Sequence, residues 1–285
     1  MPALEKIKTI CVCGAGTMGS GIAQIAAQAG FKTIQFDVYE TMLEKSKATI
    51  TASLQKLLAK EKITETQKNE ILNRLSFTTI TEACKADIII EAVVENKIIK
   101  AALFNKLALI NNADTIFVTN TSSISVNEIA TLTTVASRVA GMHFFNPAPV
   151  MRLVEIVRGE HTNDTVIQTL VTLAKQMGKV PVVCKDVPGF IVNRVARHYY
   201  LEAMLLVEKG LCTIADADAV MEATGFKMGP FKLMDFIGMD INYSVSNIVW
   251  DSLGKPERLH PSPLQKEKVD KGELGIKTGK GFYKY

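Results

Sequence analysis

TICVCGAGTMGSGIAQIAAQAGFKTIQFD, residues 9–37, runs from strand to glycine turn to helix to strand and ends on an acid. Thr9–Cys13 is short, apolar and partly β-branched, the pattern of a strand buried on both faces. Gly14, Gly16 and Gly19 follow as G-x-G-x-x-G. The first glycine permits a tight turn and the second lets backbone approach a pyrophosphate. The third lets the helix pack closely on the strand. The helix opening at Thr17 and Met18 and running to about Ala29 turns its free N–H groups and positive dipole end toward that anion.

A second strand, Thr33–Phe36, leads into Asp37, near the ~20-residue spacing at which a carboxylate grips an adenine ribose. A tight βαβ turn that binds nothing is the competing reading, and the ordered strand, helix, strand and acid weigh against it. Asp37 favours NAD over NADP, because its charge would meet a 2′-phosphate. Lys32 is the one cation nearby in sequence that could offset it.

Outward from this unit, two helices (about 40–60 and 64–75) suggest a protruding hairpin, with Thr64 and Gln67 as a capping box. Its lysines, Lys45, Lys47, Lys56 and Lys60, are read equally well as a solvated face or as a substrate-binding one. Apolar runs at 87–94, 116–120, 139–143, 153–157 and 180–184 alternate with helical stretches at 97–110, 126–130 and 163–177. The expected fold is therefore α/β, a Rossmann-type doubly wound and mostly parallel sheet with helices on both faces and a helical-hairpin insertion. Beyond Asp186-Val187-Pro188-Gly189 the pattern is helical only (190–209, 213–224, 231–250, 263–271). This predicts a dinucleotide-binding domain over 1–185 and an all-helical substrate and dimerisation domain over 186–285.

The chain of 285 residues is 47% hydrophobic and 22% charged, with a net charge of +4. It is long enough for two domains, and its charge is too mild and too evenly spread for a nucleic-acid protein. No apolar run of ~18 residues suggests a membrane span, and MPALEKIKTI does not resemble a secretory signal. The five cysteines (Cys11, Cys13, Cys84, Cys184, Cys212) form no C-x-x-C pair and have no histidine at metal spacing, as expected of reduced thiols and no bound metal. The expectation is a soluble cytoplasmic protein. Its strongly apolar C-terminal helices point to a homodimer.

In a doubly wound sheet, ligands lie beyond the carboxyl ends of the strands. Asn120-Thr121-Ser122-Ser123 follows one strand, and His143-Phe144-Phe145-Asn146 ends another. An enzyme oxidising an alcohol with a nicotinamide needs a base, and histidine suits that task near neutrality. His161 and His260 fall in polar or Pro-rich turns and His198 within a helix, which leaves His143. Glu155, on the next extended segment, is the candidate carboxylate for its far nitrogen. A hydrogen-bonded structural histidine is the competing reading of that spacing. Asn193 lies near the start of the first helix of the second domain.

Six motifs occur in order: GAGTMGSGIAQ, NTSSISV, GMHFFNPAPVMRLVEIVRG, DVPGFIVNRV, MGPFKLMDFIGMD and TGKGFYKY. Together they make the chain similar, over residues 7–285, to the L-3-hydroxyacyl-CoA dehydrogenase family, and most of all to its short bacterial 3-hydroxybutyryl-CoA members. The resemblance implies His143 as catalytic base with Glu155 as its partner, and Ser122 and Asn193 on the substrate's C3 oxygen. For the cofactor it implies the Gly14–Gly19 turn with Thr17 and Met18, together with Asp37, Glu95, Lys100, Asn120, Asn146 and Lys277. It implies CoA contacts at Ser53 and Lys60 of the hairpin, an acyl-CoA substrate and NAD. A dehydrogenase of a free 3-hydroxy acid and a non-catalytic dinucleotide-binding relative are the alternatives.

Overall fold

The computed structural model describes residues 7–285, so the reading of Met1–Lys6 as part of no secretory signal lies outside them. The chain divides into two compact units, one ending at Asp186 and one spanning Val187–Tyr285.

In the first unit β1 (Thr9–Cys13), α1 (Thr17–Gln28) and β2 (Lys32–Phe36) form the opening βαβ unit. Then come α2 (Glu40–Ala59), α3 (Glu65–Asn73), β3 (Leu75–Thr78), β4 (Ile88–Glu91), α4 (Lys97–Ala108), β5 (Ile116–Thr119) and α5 (Val126–Thr131). The unit closes with β6 (Val139–Phe144), β7 (Leu153–Arg158), α6 (Asp164–Gln176) and β8 (Val180–Lys185). The eight strands lie in the order β3-β2-β1-β4-β5-β6-β7-β8. All neighbours are parallel except β6 and β7, which run antiparallel with His143 opposite Glu155. Strands sandwiched between helix layers must be apolar on both faces. Accordingly Ile10, Val12, Ile88, Ile90, Val118 and Met142 are wholly buried, packed with Ile22 and Ala26 of α1 and with Leu170 and Leu173 of α6.

The helix expected over 64–75 ends early, because Leu75–Thr78 pairs with β2 as a strand. Its capping box is present: Gln67 N donates to Thr64 Oγ1 (3.2 Å) and Thr64 N donates to Gln67 Oε1 (2.9 Å). Ile50, Leu54 and Ile71 bury the inner face of the hairpin in the main core, while Lys45, Lys47, Lys56 and Lys60 are exposed.

The second unit contains α7 (Val192–Glu208), α8 (Ile214–Ala223), α9 (Pro230–Ile237), α10 (Met239–Ser252) and α11 (Pro263–Asp270). They surround Tyr200, Met204, Phe231, Met234, Met239 and Val249. The single helix expected over 231–250 is two helices. Gly238 has φ of 102°, which an L side chain rarely adopts, and the chain turns there. Buried Asp235 pins the C-terminus by accepting from Phe282 N, Tyr283 N and the Tyr285 hydroxyl. No described helix is long and apolar enough to cross a membrane.

Candidate active site

Close packing makes the glycine turn. A Cβ added at Gly14 would lie 2.4 Å from Ala92 O, and one at Gly19 would lie 1.9 Å from Gly14 O. A Cβ at Gly16 would meet nothing within 4 Å. Gly16 therefore borders open space at the amino end of α1, whose first turn carries no acid and no side-chain cap. Uncapped N–H groups beside a side-chain-free turn suit a pyrophosphate. Asp37 is held beside this turn, because its Oδ2 accepts from Ala15 N (2.8 Å) and its Oδ1 from Tyr39 N (3.1 Å). A carboxylate has lone pairs left for a ribose diol after those two bonds. These residues fit a dinucleotide. Lys32 opens β2 and Asp37 follows its last residue, so a strand length of ~16 Å separates them and Lys32 does not offset that charge.

The exits of β4 and β5 carry a buried charge network. Lys100 is 1% exposed, and its Nζ lies 2.6 Å from Glu91 Oε1 and 3.0 Å from Glu95 Oε2. Burial pushes the Glu91 carboxyl upward, against the pull of Lys100, Thr119 and Val93 N. Burial acts on Glu95 in the same sense, but there the Lys100 charge and hydrogen bonds from Thr121, Lys100 and Ser123 outweigh it and hold the carboxyl below its usual range. Removing one partner of a buried ion pair costs about 3–5 kcal/mol, so this network makes the β4 and β5 exits rigid. Half-buried Ser122 stands between Thr121 and Ser123, both of which donate to Glu95. Asn120 links the β5 exit to β6, its Oδ1 accepting from Phe144 N at 3.0 Å.

His143 and Glu155 meet across the one antiparallel ladder of the sheet. Directly opposite residues on antiparallel strands bring their Cβ atoms to ~5 Å, and here the side chains complete the contact. His143 Nδ1 lies 2.8 Å from Glu155 Oε2, with His143 6% and Glu155 1% exposed. The Phe145 ring packs 4.5 Å from the imidazole. A buried carboxylate on Nδ1 sets the tautomer so that the lone pair is on Nε2, and it stabilises the imidazolium once a proton is taken.

Residues 9–187 match the 3-hydroxyacyl-CoA dehydrogenase, NAD binding domain, and residues 189–285 match the 3-hydroxyacyl-CoA dehydrogenase, C-terminal domain. The chain belongs to the 3-hydroxyacyl-CoA dehydrogenase family. It is similar to the mitochondrial hydroxyacyl-coenzyme A dehydrogenase of Homo sapiens (42% identity, covering 98% of this chain and 91% of the relative). It resembles a probable 3-hydroxybutyryl-CoA dehydrogenase of Bacillus subtilis to the same degree, 42%, over 98% of both chains. Among solved structures, (S)-3-hydroxybutyryl-CoA dehydrogenase PaaH1 from Ralstonia eutropha superposes with a TM-score of 0.93 at 39% identity, covering 98% of this chain and 99% of that one. The first unit is thus the NAD-binding domain of a 3-hydroxyacyl-CoA dehydrogenase.

The remaining expected residues of this family member are spread over both units. Asn146 is exposed at the β6 exit. The segment after it is held by Lys179, whose buried ammonium donates to Ala148 O (2.5 Å) and Met151 O (2.9 Å). Ser53 and Lys60 stand seven positions apart on the α2 hairpin, hence on one face. In the second unit Asn193 is the second residue of α7, and its carbonyl accepts from Arg197 Nε at 3.2 Å. Lys277 is half-exposed, with its Nζ 2.5 Å from Asp240 Oδ1 of the same unit. Sequence reasoning passed over Glu91 and Lys179. No local signal marks them, because each looks like an ordinary member of a strand or a helix end.

Proposed function

We propose that this 3-hydroxyacyl-CoA dehydrogenase interconverts (S)-3-hydroxyacyl-CoA, 3-hydroxybutyryl-CoA in particular, and the 3-ketoacyl-CoA. The observation that carries the reading is the 2.8 Å contact of His143 with buried Glu155 in the same unit as the glycine turn. NAD, held by Gly14, Gly16, Gly19, Thr17 and Met18 with Asp37 on the ribose, supplies the hydride acceptor when bound. His143 takes the proton of the C3 hydroxyl and returns it in the reverse direction. Glu155 keeps the base in one tautomer and stabilises its charged form. Ser122 and Asn193 donate to the C3 oxygen, where negative charge develops in the ketone-reducing direction. Glu95, Lys100, Asn120, Asn146 and Lys277 serve the nicotinamide side, and Ser53 and Lys60 the CoA. We assign a homodimer to the second unit because Val195, Leu211, Val220, Phe226, Phe236 and Ile241 stand exposed there, apolar side chains that a partner copy would cover. Five free thiols support a reducing, cytoplasmic setting.

One assay separates this reading from a dehydrogenase of a free 3-hydroxy acid or a non-catalytic dinucleotide binder. NADH oxidation is followed with acetoacetyl-CoA and, separately, with acetoacetate. Turnover with the thioester at least ~100-fold above the free acid is expected, since binding energy from a remote CoA group is used at the reacting centre. Equal rates, or none, overturn the assignment.

A further inference from the structure

Ser122 can direct a hydrogen bond at a substrate oxygen only if its backbone is held, yet it lies between β5 and α5 outside any helix or strand. Hydroxyl groups on alternate residues hold it. Thr119 Oγ1 donates to Glu91 Oε2 at 2.8 Å, Thr121 Oγ1 to Glu95 Oε1 at 2.5 Å, and Ser123 Oγ to the same Glu95 oxygen at 2.9 Å. The two threonine hydroxyls also accept backbone bonds: Thr121 N to Thr119 Oγ1 (3.3 Å), Ser123 N to Thr121 Oγ1 (3.2 Å) and Ile124 N to Thr121 Oγ1 (2.9 Å).

Everything converges on Lys100 Nζ, which joins Glu91 to Glu95. The two carboxylates differ in how firmly they are anchored. Glu91 ends a fully buried strand and also accepts from Val93 N at 2.7 Å, whereas the Glu95 side chain is 41% exposed. A buried ammonium stays where its counter-charge is fixed. Glu91 therefore sets Lys100, Lys100 sets Glu95, and Glu95 fixes the residues on both sides of Ser122.

We propose that Glu91 is a positioning residue for Ser122, acting through Lys100 and Glu95. The proposal rests on the reading of Ser122 as a donor to the substrate's C3 oxygen. It assigns the Glu91 charge to the geometry of the reaction, although Glu91 itself is shut away from any ligand. Displacing a donor by a fraction of an ångström costs rate more than binding, so the loss falls on kcat rather than KM.

The test is a double-mutant cycle. Glu91→Gln keeps one acceptor oxygen for Val93 N, turns an amide N–H toward the Thr119 hydroxyl, which can accept it, and removes the charge that fixes Lys100. It is made in the native protein and in a Ser122→Ala background, with acetoacetyl-CoA reduction measured for all four proteins. Glu91→Gln alone is expected to lower kcat roughly tenfold and KM by little, and on top of Ser122→Ala to cost less than about threefold more. A second full tenfold loss in the Ser122→Ala background overturns the proposal, as does native kcat in Glu91→Gln. Native turnover in Ser122→Ala alone overturns the role of Ser122 itself, a failure that the single variant shows separately. Thr121→Val leaves the buried ion pair and the Ser123 bond to Glu95 intact, and removes the Thr121 bond to Glu95 together with the acceptor of Ser123 N and Ile124 N. Should Glu91→Gln fail to fold, the same cycle is run with Thr121→Val, and an additive result there ends the proposal.

Discussion

Glu155 and Glu91 are both buried carboxylates on sheet strands and both carry a basic partner within 3 Å, yet under the proposed function the two pairs serve opposite tasks. The partner of Glu155 is an imidazole, which can change its charge near neutral pH. The partner of Glu91 is an ammonium, which only donates hydrogen bonds and has no lone pair to accept one. On the proposed function the first pair passes a proton and recovers. The second carries a set of hydroxyl groups that hold a loop, with Glu95 as its second carboxylate. Burial alone therefore does not separate the two carboxylates. The chemistry of the partner does.

The largest effect expected from this difference is at the base. His143→Gln should lower kcat for acetoacetyl-CoA reduction by about 10³-fold or more, within reach of general acid–base contributions of ~10²–10⁴. NADH affinity, measured by fluorescence titration, should stay within about twofold. A variant that keeps most of its kcat would place His143 on the same structural footing as Lys100, and the contrast would collapse.

Glu155→Gln comes next. The amide can still meet Nδ1, but it cannot stabilise the imidazolium, so kcat should fall about 10- to 100-fold with a smaller change in KM. Unchanged kcat would mean that Glu155 serves the fold alone.

The His143–Glu155 pair was legible in the sequence for a physical reason. His143 closes an apolar strand and Glu155 sits in the next extended run, and side chains with chemistry at strand ends have few structural competitors. The glycine turn was legible because its three glycines stand between a strand and a helix and lead to a second strand that ends on Asp37. Glu91 was not, since it ends the run Ile88-Ile89-Ile90 and reads as a strand exit. Its role depends on Lys100, nine residues on in the first turn of α4, and no periodicity joins the two. Lys100 itself passes for a solvated helical lysine, although it is among the most buried side chains of the domain. The same limit hid two pieces of the fold. Leu75–Thr78 is four residues long and follows a helical pattern without a clear break, so only its pairing with β2 makes it a strand. Gly238 lies inside an apolar run that suits one helix, and because a lone glycine is tolerated within a helix, only its φ of 102° shows that the run divides in two.

The smallest expected effect divides the network itself. Glu91 and Glu95 share one ammonium but titrate in opposite senses, upward for the buried carboxyl and downward for the one reached by more donors. A lowered folded-state pKa gives stability that is complete above the unfolded value near 4.5 and is lost as pH falls through the folded value. The Tm difference between the native protein and Glu95→Gln should therefore shrink as pH falls from 7 to 4. A raised folded-state pKa gives stability that is complete below the unfolded value and is lost as pH rises through the folded one. The Tm difference between the native protein and Glu91→Gln should accordingly be larger at pH 4 than at pH 7. Thermal melts of the three proteins at matched ionic strength read both slopes directly. If both differences shrink together on acidification, Glu91 is held charged as firmly as Glu95. Burial would then not be the stronger force on it.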